Sequence, residues 1–178
     1  MNIQTATIRR LRDALLQSGR RAEAVQSSAF EALARAGILS EEEQAALKRV
    51  DPMAETMFLM MAADGKITAA ERDAMRGAIR GLTANLLHEG TIQVMIETYE
   101  KTLAAEGREA RLKAIGAQLA GHVSDAEGAF ALAAAVALAD DDVDQEEQDL
   151  VEQLASWFGI TPTRAEQLLD QLEEDKDK

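Results

Sequence analysis

The sequence predicts an all-α domain made of two related halves, and three observations carry that prediction. Hydrophobic residues make up 47% of the 178 residues but aromatics only 3%, and the apolar supply is mostly Ala, Leu and Met. Those residues favour helices over strands. Apolar residues recur at helical spacing along most of the chain. Two stretches also say the same thing 76 residues apart: Ala63-Asp64-Gly65-Lys66-Ile67-Thr68-Ala69-Ala70-Glu71 and Ala139-Asp140-Asp141-Asp142-Val143-Asp144-Gln145-Glu146-Glu147. In each, an apolar segment ends in Ala-Asp, an aliphatic residue follows three positions later, and a Glu lies seven positions after the Asp. The length suits one compact domain with a real core.

The elements follow in order. Ile8, Leu11, Leu15 and Leu16 form the stripe of a basic amphipathic helix, with Arg9, Arg10 and Arg12 between them and Gly19 as a stop. A second helix is expected from about Arg21 to Ala36, closed by Gly37. Ser40-Glu41-Glu42-Glu43 has the form of a capping box and opens a third toward Val50. Asp51-Pro52 predicts a restart, because Pro suits a first helical turn and Asp caps the amides there. Met53–Ala63 and its counterpart Ala129–Ala139 are apolar on nearly all sides yet too short to span a bilayer, so both are expected as buried central helices. The cluster of Met57, Met60 and Met61 is assigned to core packing for the same reason. Thr68–Glu71 and Asp144–Glu147 each read as an N-cap with Glu three residues on. The helices they open place Met75, Ile79 and Leu82 in register with Val151, Ala155 and Phe158. Two further helices are expected at about Thr91–Ala105 and Glu109–Gly121, then a capping box at Ser124-Asp125-Ala126-Glu127. Gly159 closes the penultimate helix, and Thr161-Pro162 opens the last, striped by Leu168, Leu169 and Leu172. The expected organisation is residues 1–50 as a helical extension, 51–174 as the duplicated domain, and 175–178 as a frayed tail.

Composition excludes several classes of function. The chain has no Cys, hence no disulfide, thiolate metal site or cysteine nucleophile, which suits a reducing compartment. Its start lacks the apolar run of a signal peptide, and no stretch approaches the ~20 apolar residues of a membrane span, so a cytoplasmic location is expected. A net charge of −13 with few aromatics argues against nucleic acid, whose phosphates would repel the chain and whose bases would find little to stack on. The charge is polarised. Residues 1–40 carry six Arg against Asp13, Glu23 and Glu31, whereas residues 140–178 carry fourteen Asp and Glu against Arg164, Lys176 and Lys178. Such polarity steers a protein partner or a cation. The basic first helix would pack its stripe onto the domain, although a helix of this type also suits peripheral attachment to the inner face of an anionic membrane.

The acidic turns are the functional lead. Asp-Gly-x-Ile-x-x-x-Glu reproduces the second half of an EF-hand loop, with Asp64, Gly65, Ile67 and Glu71 in its fifth, sixth, eighth and twelfth places. The first half is missing: Met60 and Ala62, or Val136 and Leu138 in the second copy, stand where the first and third carboxylates belong. Neither turn cages calcium alone, since calcium takes about 6–8 oxygens, and a site needs both half-loops plus carbonyls and water. Asp64 and Asp140 fall at helix C-termini, where the backbone dipole disfavours an anion by about 0.3–1 kcal/mol. Asp141, Asp142 and Asp144 compound the repulsion beside Asp140, and a cation, a nearby Arg or exposure to water would relieve it. Glu71 and Glu147 stand where capping glutamates stand, which is an alternative to ligation. His88 and His122 lack ligand-spaced neighbours, and there is neither a nucleophile turn nor a phosphate-binding Gly loop. No enzymatic activity is expected.

The Ala-Asp-Gly-x-Ile-x-x-x-Glu turn after an apolar helix, its repetition at Ala139–Glu147, and the trailing Leu154-Ala155-Ser156-Trp157-Phe158-Gly159-Ile160 together resemble the TerB-like (tellurite-resistance) domain. The resemblance covers roughly residues 53–172. It implies an all-helical fold of two related halves and an association with stress and tellurite resistance; related domains occur in membrane-anchored co-chaperones. It implies divalent metal binding at Asp64, Glu71, Asp140 and Glu147, to which the crowded second turn adds Asp144, with Asp141 and Asp142 as additional acidic contacts. Asp141 in place of the second Gly departs from the pattern. Hard oxygen ligands favour calcium, magnesium or manganese, with calcium the first expectation. The resulting expectation is a metal-binding interaction adaptor. The alternative is a metal-free module that docks a protein or membrane surface through the basic helix or the acidic half.

Overall fold

The computed structural model describes residues 5–18, 31, 33, 35–37, 39–62, 67–137 and 145–176. Every long element among them is a helix: α1 (Thr5–Ser18), α2 (Glu41–Met61), α3 (Ala69–Leu82), α4 (Glu89–Glu106), α5 (Arg108–Leu119), α6 (Val123–Ala137), α7 (Gln145–Trp157) and α8 (Pro162–Lys176). Glu31, Leu33, Arg35 and Ala36 are helical as well, and Gly37 follows with φ +64°, the left-handed conformation of a helix C-cap. No helix among the described residues is long and apolar enough to cross a membrane.

Local signals set most boundaries. Ser40 caps α2 and Thr68 caps α3, each hydroxyl accepting the N–H of the Glu three residues on while that carboxylate accepts the cap's own N–H. Pro162 is the first residue of α8, and Gly159 (φ +69°) ends the turn before it. Two boundaries differ from the expectation. Asp51-Pro52 does not restart the chain; Pro52 lies inside α2, which runs unbroken from Glu41 to Met61 and across the expected division at residue 50. Every residue from Asp51 to Met61 is buried, and that packing outweighs the ~3 kcal/mol that Pro costs in a helix interior. Nor does Ser124 cap α6. The helix starts at Val123, and the His122 carbonyl accepts the N–H groups of Asp125 and Ala126, because Glu127 is drawn away to Arg164. At the other end α8 continues through Lys176, with Asp175 accepting a hydrogen bond from Thr7; Asp177 and Lys178 lie outside the described residues.

The core is organised about α2 and α6, whose mutual contact is the most extensive between any two helices described. Leu59, Met57, Phe58, Phe130, Leu132 and Ala134 are sealed from solvent between the surrounding helices. The duplication is visible in the packing. α3 starts at Ala69 and α7 at Gln145, 76 residues apart, and each packs on the central helix preceding it. Met75, Ile79 and Leu82 are buried, as are Val151, Ala155 and Phe158 at the corresponding positions. α4 closes the first half against α2 and α3, and α8 closes the second against α6 and α7.

The remaining two helices occupy matching places. α5 packs on α2, α4, α6 and α7. Exchanging the halves turns that set into α6, α8, α2 and α3, and α1 packs on α3, α6 and α8. The contacts correspond in detail. A Cβ at Gly81 of α3 would lie 2.5 Å from Cγ2 of Ile8 in α1, and one at Gly116 of α5 would lie 2.3 Å from the carbonyl oxygen of Trp157 in α7. Trp157 stands 76 residues after Gly81. The first helix thus buries Leu11 and Leu15 in the domain's own groove, leaving Leu16 exposed, which agrees with packing of its stripe onto the domain.

Candidate functional site

The two acidic turns join α2 to α3 and α6 to α7. Asp64, Asp140, Asp141, Asp142 and Asp144 lie outside the described residues, and Glu147 is described only as part of the first turn of α7. Their flanks are well defined. α2 ends with the Ala62 N–H bonded to the Phe58 carbonyl at 2.9 Å, and Ile67 packs on the core beside it. Glu71 is half-buried, and its Oε2 accepts the Thr68 N–H at 2.7 Å and the Thr68 hydroxyl at 2.8 Å. That oxygen is therefore engaged in capping. Among the described residues no group of three or more His, Asp or Glu side chains is placed to hold a metal. Glu71 supplies hard carboxylate oxygen of the kind such an ion takes, and the rest of a donor set would come from the five aspartates and Glu147.

The residues from Asp51 onward hold a second arrangement of charge, absent from the expectations. Asp51 and Glu55, one turn apart on α2, are 0% and 1% exposed. The Tyr99 hydroxyl on α4 donates to the Asp51 carboxylate, and its ring tilts against Phe58 at 5.7 Å between centroids. Burial, then the negative charge of Asp51, holds the Tyr99 pKa well above the ordinary phenol range, so the phenol stays a donor. Arg111 on α5 reaches Glu55 with two parallel hydrogen bonds of 2.9 Å and Glu106 at the end of α4 with a third of 3.3 Å. Burial alone would push the guanidinium's pKa down; the hydrogen bonds and charge of Glu55, with Glu106 behind them, outweigh it and raise it. A buried carboxylate that lacks such a partner loses several kcal/mol of hydration. Glu55 and Arg111 satisfy each other, and their role is to fasten α2, α4 and α5. The signal in the sequence was Glu55 itself, a carboxylate in a helix otherwise apolar on nearly all sides.

A third feature is a groove of about 460 Å³ between the C-terminus of α5, the N-terminus of α6 and the α7–α8 junction. Trp157 and Phe158 form part of its apolar lining, and Val123 at its edge is 69% exposed. The Lys113 ammonium lies 5.4 Å from the Trp157 ring centroid. Glu127 and Arg164 on its wall are joined by two hydrogen bonds of 2.7 Å. The hydrogen bonds from Arg164 hold the Glu127 carboxyl below the usual range against a smaller opposing effect of burial. No motif in the sequence pointed to this groove, since its walls meet only through tertiary packing.

No curated protein and no solved structure matches the chain significantly. Against the models of protein families, residues 51–170 match the tellurite resistance protein TerB. The matched segment begins at the buried Asp51, takes in both acidic turns and both central helices, and covers more than half of the sequence: the chain belongs to the TerB family.

Proposed function

We propose that this TerB-family chain is a non-enzymatic, cytoplasmic stress-response protein that binds one divalent cation and acts as an interaction adaptor. The ion, calcium first with magnesium or manganese as alternatives, would be held by Asp64, Glu71, Asp140, Asp144 and Glu147, with Asp141 and Asp142 as further acidic contacts. The observation that carries the proposal is the shared register of the two halves. Each acidic turn leaves one of two mutually packed central helices and enters a helix whose first residue lies 76 positions from that of its counterpart. An ion drawing on both turns would tie α3 and α7 to the central pair, and the surface those helices present is what a partner protein would read. Carboxylate donors and the absence of Cys favour a hard cation.

The test is thermal unfolding of protein stripped with EDTA, alone and with calcium, magnesium, manganese or zinc, beside the Asp64→Asn, Asp140→Asn double variant. A ligand at a hundred times its dissociation constant stabilises the native state by about 2.7 kcal/mol, which is several degrees for a chain of this length. The expected outcome is a rise of that size in the parent with one of the hard ions and none in the variant. Equal rises in both proteins, or none with any ion at millimolar concentration, would overturn the metal site and leave Glu71 as a capping residue.

A further inference from the structure

We propose that the groove formed by α3, α6 and α8 is a docking site for an amphipathic helix of a partner protein, held in reserve by α1 as an intramolecular occupant. The seat is shaped for a helix. Gly81 gives up its side-chain space to Cγ2 of Ile8, and Cδ2 of Leu11 lies 3.9 Å from where a Cβ of Gly128 would stand. Small residues at these points let a helix approach closely, with a branched side chain entering each notch. The rim is polar and acidic: Arg10 donates to Gln171 at 2.8 Å and pairs with Asp175 at 3.2 Å, and Thr7 donates to Asp175 at 3.3 Å.

α1 has the character of a removable occupant. Its ion pair is partly open to water, Arg10 being 34% exposed, whereas the matching helix α5 is fastened by Arg111 and Glu55 at 9% and 1%. Its fully buried apolar contacts are Leu11 and Leu15, with Ile8 only half-buried. At 14 residues it is also too short to be a stable helix once released, so release melts it and clears the groove. The occupant therefore states the chemistry of the partner it stands in for: aliphatic residues at i, i+3 and i+7, and an arginine at i+2 facing the acidic rim of α8. This is recognition of a helix in a groove, and it is independent of whether the acidic turns hold a metal.

The experiment vacates the seat and refills it. In the full chain carrying Leu11→Asp and Leu15→Asp, α1 is displaced while the groove is untouched. A fluorescein-labelled peptide of residues 5–18 is titrated against this variant in EDTA, with anisotropy as the readout. Saturable binding is expected, weakened at least tenfold when Gly81→Val fills the notch for Ile8, and weakened at least threefold by Asp175→Lys. Absence of saturable binding to the folded variant, or equal binding with Gly81→Val, would overturn the proposal. Capture of the parent chain on phosphatidylserine vesicles without peptide binding would also overturn it and assign α1 to a lipid surface. Should the double aspartate variant lose its cooperative melt, Arg10→Glu carries the test. Amide exchange in α1 must then rise at least tenfold with α5 unchanged, and unchanged protection of α1 would count against displacement.

Discussion

α5 and α1 are clamped against the same central pair in places that exchange when the two halves are exchanged, yet they are held by different physics. α5 carries its cation into the core, where Arg111 meets Glu55 with water excluded from both. α1 keeps its cation near the surface, and Arg10 reaches Asp175 where solvent still competes. Contact across the α5 seat is backbone against backbone, Gly116 on the Trp157 carbonyl; across the α1 seat it is side chain against backbone, Ile8 on Gly81. Equivalent positions in a duplicated fold thus need not be equally permanent. Burial of the polar anchor and rigidity of the contacting atoms decide which helix is structural and which can leave.

The sharpest way to break this comparison is to remove the buried cation. Arg111→Ala leaves Glu55 enclosed without a counter-charge and is expected to cost about 3–5 kcal/mol, read as a lower urea midpoint. Arg10→Ala, the matching change on α1, is expected to cost under about 1 kcal/mol. Replacing both buried partners, Glu55→Leu with Arg111→Met, should restore most of the loss, because buried ion pairs exchange for apolar residues at little net cost. Equal losses for the two arginine variants would end the distinction.

A smaller effect separates the two glycine seats. Gly116→Ala drives a methyl into a carbonyl oxygen that cannot rotate away, and overpacking of this kind costs about 1–3 kcal/mol of global stability. Gly81→Ala meets a side chain on a helix that can shift, and Ala recovers part of the ~1 kcal/mol that Gly costs a helix. Global stability should therefore change little, and hydrogen exchange should show the loosening confined to α1.

The smallest effect concerns the third bidentate pair, Glu127 with Arg164, the latter 40% exposed. The folded-state pKa of Glu127 is lowered. The stability this adds is present above the ordinary glutamate range and is lost as the pH falls through the lowered value. With solvent screening the contribution is under about 1 kcal/mol. Acid titration of Glu127→Gln, followed by its unfolding midpoint, should show a slightly shallower loss of stability below the glutamate range than the parent.

Much of the fold was legible because its signals are local. The Ser40–Glu43 and Thr68–Glu71 caps, Pro162 at the start of α8 and the repeated apolar helices each depend on residues within a turn or two of one another. The failures share a different cause. Pro52 was expected to open a helix, and burial of the whole segment around it kept the helix intact. Glu127 was expected to cap Ser124, but its partner is Arg164, 37 residues away. Asp51 and Glu55 find Tyr99 and Arg111 at separations of 48 and 56 residues, distances at which a pattern read along the chain carries no information. Of the candidate metal ligands, only Glu71 has its side chain among the described residues, so the sequence repeat and the family match remain the arguments for that site.

One residue joins α4 to α5. Gly107, at φ +83° and ψ +158°, holds a conformation open in practice to glycine alone, although no neighbouring atom crowds the space a Cβ would fill. A joint so short has no slack: α4 and α5 form an elbow, and Arg111 braces it by gripping Glu106 on one side and Glu55 on the other. A tilt of α3, which starts just after the first acidic turn and leans on α4, would be delivered through this elbow to α5. At Gly116 it would reach the backbone of α7, the helix that starts after the second turn. The two turns are thereby geared to one another through the scaffold, a coupling that needs no ligand spanning the gap between them.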